Sequence, residues 1–269
     1  MVKNLSGKTV IVTGSSRYDE ALCITNLPIV TEAIRGIGTG IAIDLAKRGA
    51  NVVVNYTSPR GAIAGEEVVK EIGDAGSKVA LVQANVALLS DLRKLVEAAL
   101  ALSGSGKIDI LVHNAAAGDD CYMENMTEEF YESQTDINLK APIFLTQLTL
   151  PHIGRGGRIV LVSSVSARMG MPQRTVYAGT KAALEGIAKV WATELGKKYG
   201  ITVNCISPGP VATDMWTECE PDPIINAMPA AARVGEVSDI VPVVSFLCSE
   251  DSRWVMGSTV SASGGMKFI

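Results

Sequence analysis

Apolar residues recur along this chain in two alternating rhythms. Short runs rich in Val, Ile and Leu occupy residues 9–12, 51–55, 78–83, 108–113, 158–162, 201–206 and 259–261. Between them lie longer stretches in which apolar positions return every three or four residues: one beginning near Gly38, then 61–73, 91–102, 127–150, 176–198 and 238–248. Runs of the first kind predict strands buried on both faces, and stretches of the second kind predict amphipathic helices. Strand and helix alternate throughout, which implies an α/β fold: a doubly wound parallel sheet with helices on both faces. Thr127, followed by Glu128 and Glu129, has the character of a helix start, and Ser207-Pro208-Gly209-Pro210 that of a break. No internal repeat is present beyond this alternation.

Composition narrows the picture. At 269 residues, 47% hydrophobic and 19% charged, the chain suits one domain spanning 1–269. Twenty-four Lys and Arg against 28 Asp and Glu leave a net charge of −4, and no basic run points to nucleic acid or a membrane surface, so the expected partner is a small molecule. The first strand pattern begins without an apolar leader, and no apolar run approaches the roughly 18 residues of a membrane span, so a soluble cytoplasmic protein is expected. Cys23, Cys121, Cys205, Cys219 and Cys248 are odd in number and lack metal-ligand spacing, as free thiols in a reducing compartment would. His113 and His152 stand alone, and no metal site is expected.

The chemistry gathers in residues 163–181, SSVSARMGMPQRTVYAGTK. Tyr177 and Lys181 are four apart at the start of a helical pattern continued by Leu184, Ile187, Ala188, Trp191 and Leu195, so both share one helix face. An ammonium beside a phenol favours the phenolate, and a tyrosine whose ordinary pKa is about 10 is thereby brought toward the working pH, fit to exchange a proton with a carbonyl. Ser164 closes the preceding strand run, where its hydroxyl can hold the same oxygen.

At the other end, the first strand runs into Thr13-Gly14-Ser15-Ser16-Arg17, the opening of a phosphate-binding turn. Such a turn needs its glycines close together so that the backbone can approach a pyrophosphate at a helix N-terminus. Here residues 18–35, YDEALCITNLPIVTEAIR, separate Gly14 from Gly36-Ile37-Gly38. Without those eighteen residues the sequence reads TGSSRGIGTGIAIDLAKRGA, a compact glycine loop feeding an amphipathic helix. The second strand ends at Asn55 with no acidic residue to hold a ribose 2′-hydroxyl, and Arg17 or Arg35 nearby suits a 2′-phosphate, which favours NADP over NAD. Small residues at 114–118, NAAAG, let a ligand lie close to the backbone.

Together these pieces resemble the short-chain dehydrogenase/reductases, with a layout similar to the β-ketoacyl carrier-protein reductases and polyketide ketone reductases. The likeness runs from about Lys8 to Gly265, interruption excluded, and rests on Thr13-Gly14 with Gly36 to Gly38, Asn114 to Ala116, Asn138, Ser164, Tyr177, Lys181 and the PGPVAT run at 208–213. It implies a Rossmann-type domain and an NADP(H)-dependent oxidoreductase of secondary metabolism. Tyr177 is then the general acid and Ser164 orients the carbonyl. Lys181 binds the nicotinamide ribose and acidifies the tyrosine, and Asn138 holds a water that relays protons. The implied cofactor contacts are Gly14, Ser16, Arg17, Gly36, Ile37, Gly38, Asn55, Asn85, Val86, Asn114, Ala115, Tyr177, Lys181, Pro208, Gly209, Val211 and Thr213. Met169, Met171, Met215 and Trp216, with Met228, are expected at the substrate mouth and in a lid over about 213–234, and Cys121 and Tyr122 on the opposite rim. Apolar side chains there suit a ketone on a hydrophobic skeleton. The resemblance also implies a homotetramer or homodimer built on helices 127–150 and 176–198.

Two readings of the interruption stand side by side. It is a surface loop that leaves Gly14 and Gly38 in place, since loop-closure cost rises slowly with length. Alternatively it is translated intron: its removal is in frame, Arg17-Tyr18 can carry a GTA-type donor, Ile24-Thr25-Asn26 a CTAAC branch sequence and Arg35 a terminal AG. Function divides accordingly between a working carbonyl reductase and a catalytically impaired scaffold that keeps the fold.

Overall fold

The structure, a computed structural model, describes residues 3–14, 36–213, 225 and 228–269. Seven strands, β1 (Thr9–Val12), β2 (Asn51–Tyr56), β3 (Val79–Gln83), β4 (Ile108–His113), β5 (Ile153–Val162), β6 (Thr202–Pro208) and β7 (Thr259–Ala262), form one parallel sheet in the order β3-β2-β1-β4-β5-β6-β7. The period-2 geometry of a strand divides each apolar run between two cores. Val10, Val12, Val52, Val54, Ile110, Val112, Val160 and Val162 face one; Ile11, Val53, Leu111, Ile159 and Leu161 face the other. Helices α1 (Ile37–Lys47) and α2 (Pro59–Asp74) cover the first core. Helices α3 (Leu89–Leu102), α5 (Ala141–Thr149) and α6 (Thr175–Leu195) cover the second. Helix α7 (Val237–Leu247) packs on α1, where Gly40 lies so close to Val237 that a Cβ would collide with it.

Several boundaries differ from the periodicity. Residues 127–150 are not one helix: α4 (Glu128–Thr135) passes through a π turn, Asp136–Lys140, into α5. Pro142 has no N–H to give to the Asn138 carbonyl four residues back, so the regular α pattern fails there. Strand β5 begins at Ile153, and β6 continues through Ser207 to Pro208, which sits at the strand's last position. Strand β2 likewise runs past Asn55 to Tyr56. Among the described residues no helix is long and apolar enough to cross a membrane, and no cluster of His, Cys, Asp and Glu could hold a metal.

The strand order reverses between β1 and β4. In such sheets a crevice opens outside the carboxyl ends of the strands at that point.

Candidate active site

The crevice is lined by the segments leaving four strands: Gly14 after β1, Asn114, Ala115 and Ala116 after β4, Ser163 to Ser166 at and beyond the end of β5, and Pro208 to Val211 at the end of β6. Helix α1 enters from one side through Gly36, Ile37 and Gly38, and α6 from the other through Tyr177 and Lys181.

The one-turn spacing on α6 does what it predicts. Lys181 is 2% exposed, its Nζ donates to the Val162 carbonyl at 2.7 Å, and the same Nζ lies 5.5 Å from the centre of the Tyr177 ring. An ammonium this deeply buried survives only with polar partners, and the strand carbonyl supplies one. Tyr177 is half-buried and packs its ring edge on Gly118, where a Cβ would come within 3.2 Å. Ser164 caps the short turn Val165–Arg168, its Oγ accepting from the Ser166 N–H at 3.2 Å, and lines the same crevice as Tyr177.

At the glycine end, Gly14 has φ +61°, a left-handed conformation that favours glycine, and a Cβ on Gly38 would collide with the Gly14 carbonyl and the Asn114 side chain. The two glycines therefore touch, although 23 residues lie between them in sequence. Gly36 is the α1 N-cap; a Cβ there would meet open space, and the first turn carries no acid. Among the described residues no side chain caps this positively polarised helix end, and such an end facing a crevice fits a phosphate-bearing cofactor.

A family model described as enoyl-(acyl carrier protein) reductase matches residues 33–267. The short-chain dehydrogenase/reductase FrzI of Cladobotryum sp is 45% identical over 247 residues, covering 88% of this chain and 94% of that protein. The chain belongs to the short-chain dehydrogenase/reductase family. A further relative of this oxidoreductase, the hydroxynaphthalene reductase-like protein Arp2 of Metarhizium robertsii, is 40% identical over 253 residues, 88% of this chain and 93% of that one. The solved angucycline C-6 ketoreductase LanV with bound NADP superposes with a TM-score of 0.82 at 34% identity, covering 98% of this chain and 96% of that one. Another structure of LanV holds NADP and rabelomycin.

Within this short-chain dehydrogenase/reductase, the crevice gathers Gly14, Gly36, Ile37, Gly38, Asn114, Ala115, Ser164, Met171, Tyr177, Lys181, Pro208, Gly209, Val211 and Thr213 from the sequence-predicted set. Ser16, Arg17, Met215 and Trp216, the interruption at 18–35 and most of the expected lid lie outside the described residues. Other expected residues are placed elsewhere. Asn55 is buried behind the glycine turn, accepting from the Gly14 N–H at 3.1 Å and donating to Ala84 O at 2.9 Å. Asn85 shapes the approach to α3, its Oδ1 accepting from Ala87 N–H, and neither it nor Val86 lines the crevice. Met169 does not reach the crevice either, and Met228 is buried against Gly264. Cys121 is tied through its N–H to Gln173 O, and Tyr122 is half exposed.

Two asparagines serve the backbone. Asn114 Nδ2 donates to Thr13 O and Gly14 O, each at 3.1 Å, joining the ends of β4 and β1. Asn138, 1% exposed in the π turn, accepts from Ala117 N–H and donates to Ala117 O, each at 2.8 Å, with Thr180 Oγ1 at 3.1 Å. Sequence reasoning missed Arg174 and Met266, which also line the crevice. Arg174 could have been found three residues before Tyr177; its guanidinium lies 5.6 Å from the Tyr177 ring centre and pairs with Asp120 at 2.6 Å. His113, beside the crevice rather than in it, is pushed down to about 3 by burial, and its Nε2 shares a hydrogen bond with Thr146 Oγ1.

Proposed function

We propose that the protein is an NADPH-dependent reductase that converts a ketone on an apolar skeleton, polyketide-like or β-ketoacyl, into a secondary alcohol. The observation that carries this reading is the convergence of Ser164, Tyr177 and the buried Lys181 on a crevice whose far end is the Gly14–Gly38 turn. Bound NADPH supplies the hydride to the carbonyl carbon. The chain's own groups act on the carbonyl oxygen: Ser164 Oγ holds it by a hydrogen bond and Tyr177 Oη gives it a proton. Lys181, fixed by the Val162 carbonyl, stabilises the phenolate left behind. Asn138 positions the acid by fixing Ala117 and, through Thr180, the first turns of α6.

The absence of a carboxylate at the end of β2 and the NADP in LanV favour NADP over NAD. Val165, Met171, Val211 and Met266 give the crevice an apolar wall, which with the likeness to LanV and Arp2 favours a fused-ring or long-chain ketone. The exposed Tyr131, Ile143 and Val190 on α4, α5 and α6 suit assembly into a homodimer or homotetramer through those helices.

The test is a screen of aliphatic and fused-ring ketones with NADPH, followed by absorbance, run beside a fluorescence titration of NADPH. Saturable binding and consumption of NADPH with at least one ketone are expected, and Tyr177→Phe abolishes turnover while still binding NADPH. No saturable binding would leave a scaffold, and substantial turnover by Tyr177→Phe would remove that residue from its role.

A further inference from the structure

Glu185 takes no part in the steps above, yet it is a carboxylate buried to 5% exposure one turn beyond Lys181 on α6. Its two oxygens reach different partners. Oε1 lies 3.1 Å from Ser163 Oγ, and Oε2 accepts from Arg168 at 2.8 Å through Nε and 2.6 Å through Nη2. The Ser163 hydroxyl has one hydrogen and also lies 3.1 Å from the Lys181 carbonyl, so it hangs between two acceptors on α6. Ser163 immediately precedes Ser164, and Arg168 ends the turn that Ser164 caps.

We propose that Glu185 is a positioning residue for the reduction: one carboxylate clamps both ends of the segment carrying Ser164 onto the helix carrying Tyr177 and Lys181. The inference rests on the reading of Ser164 and Tyr177 as the pair that holds the carbonyl oxygen. Tyr177, Lys181 and Glu185 follow at four-residue intervals on one helix face, so the clamp and the acid share a rigid frame. With the Arg168 side chain 34% exposed and that of Glu185 7%, the ion pair adds little net stability; what it supplies is one defined geometry, because two guanidinium nitrogens converge on a single carboxylate oxygen. The clamp also fixes the start of the stretch that places Met171, whose sulfur lies 3.5 Å from Ser166 Oγ, in the crevice wall.

Glu185→Gln keeps the shape and removes the charge, turning an amide or a weaker acceptor toward Arg168. Reduction of the fastest ketone from the screen is expected to slow about 10- to 100-fold in kcat, the scale of a roughly 1 Å misplacement of reacting groups. NADPH affinity should stay within about twofold of the parent, which separates positioning from general damage. In the Glu185→Gln/Arg168→Gln double variant the combined loss should be smaller than the product of the two single losses, since both break one contact. A crystal structure of Glu185→Gln should show Ser164 and the 165–168 turn displaced relative to Tyr177. An unchanged kcat, an equal fall of kcat, NADPH affinity and melting temperature, or a Ser164 that superposes on the parent overturns the clamp. Tyr177→Phe assayed in parallel separates the two readings. If it turns over, the assigned reaction fails; if it is silent while Glu185→Gln is fully active, only the clamp fails.

Discussion

The burial of His113 makes one side chain a reporter of acid stability. Taken from water into the second core without a charged partner, its imidazole resists protonation down to about pH 3, against 6.5 for an exposed histidine. Between those values the unfolded chain binds a proton that the folded chain refuses, so stability falls as pH drops through that window and is unaffected by this group above 6.5. At pH 5 the loss is about 2 kcal/mol relative to pH 7.5, and urea denaturation of His113→Gln should show a correspondingly smaller drop over the same interval. An equal drop in both proteins would assign the acid sensitivity to other groups. Residues of this kind show how far sequence reaches: Tyr177 and Lys181 were legible because helical spacing alone fixes their relation. Asn55 was not, because its side chain reaches back to Gly14 and Ala84, partners set by strand pairing. The Arg168–Glu185 contact was equally hidden, since it spans a strand end, a turn and a helix.

At the scale of elements, the π turn between α4 and α5 is the feature that periodicity could not supply. Apolar spacing through 127–150 is compatible with an unbroken helix, and only Pro142 signals that the hydrogen-bond ladder must change step. The extra residue in the turn accompanies an Asn138 side chain that grips both polar groups of Ala117. Asn138→Ala leaves those groups without their partner, at a cost of about 2–4 kcal/mol in urea unfolding free energy. Turnover should fall with it, because the Ala117–Gly118 segment forms the surface on which the Tyr177 ring rests. A variant with parental stability would mean that water replaces the amide. The central strands β1 and β4, by contrast, were legible residue by residue, since their runs are buried on both faces, whereas the edge strands β3 and β7 are only half-buried.

For the whole molecule, alternation of elements was enough to foretell a parallel sheet, but the order of strands was not written in it. The crossing from β3 to β4 over the far side of β1 creates the crevice and brings together residues more than 160 positions apart, Gly14 and Lys181. The interruption enters at this same place. Deletion of residues 18–35 is predicted to leave the fold intact and tighten NADPH binding, read by the fluorescence titration. Unchanged or weaker affinity would make those residues an integral part of the site.

The contact between Gly14 and Gly38 says why so drastic an edit can spare the sheet. Two ends that share one doorstep can be joined by few residues or by many, so the seats of β1 and α1 set no particular length for what joins them. Evolution, faulty splicing or an engineer can alter the number of residues at that address. The architecture of the sheet has no means of counting them.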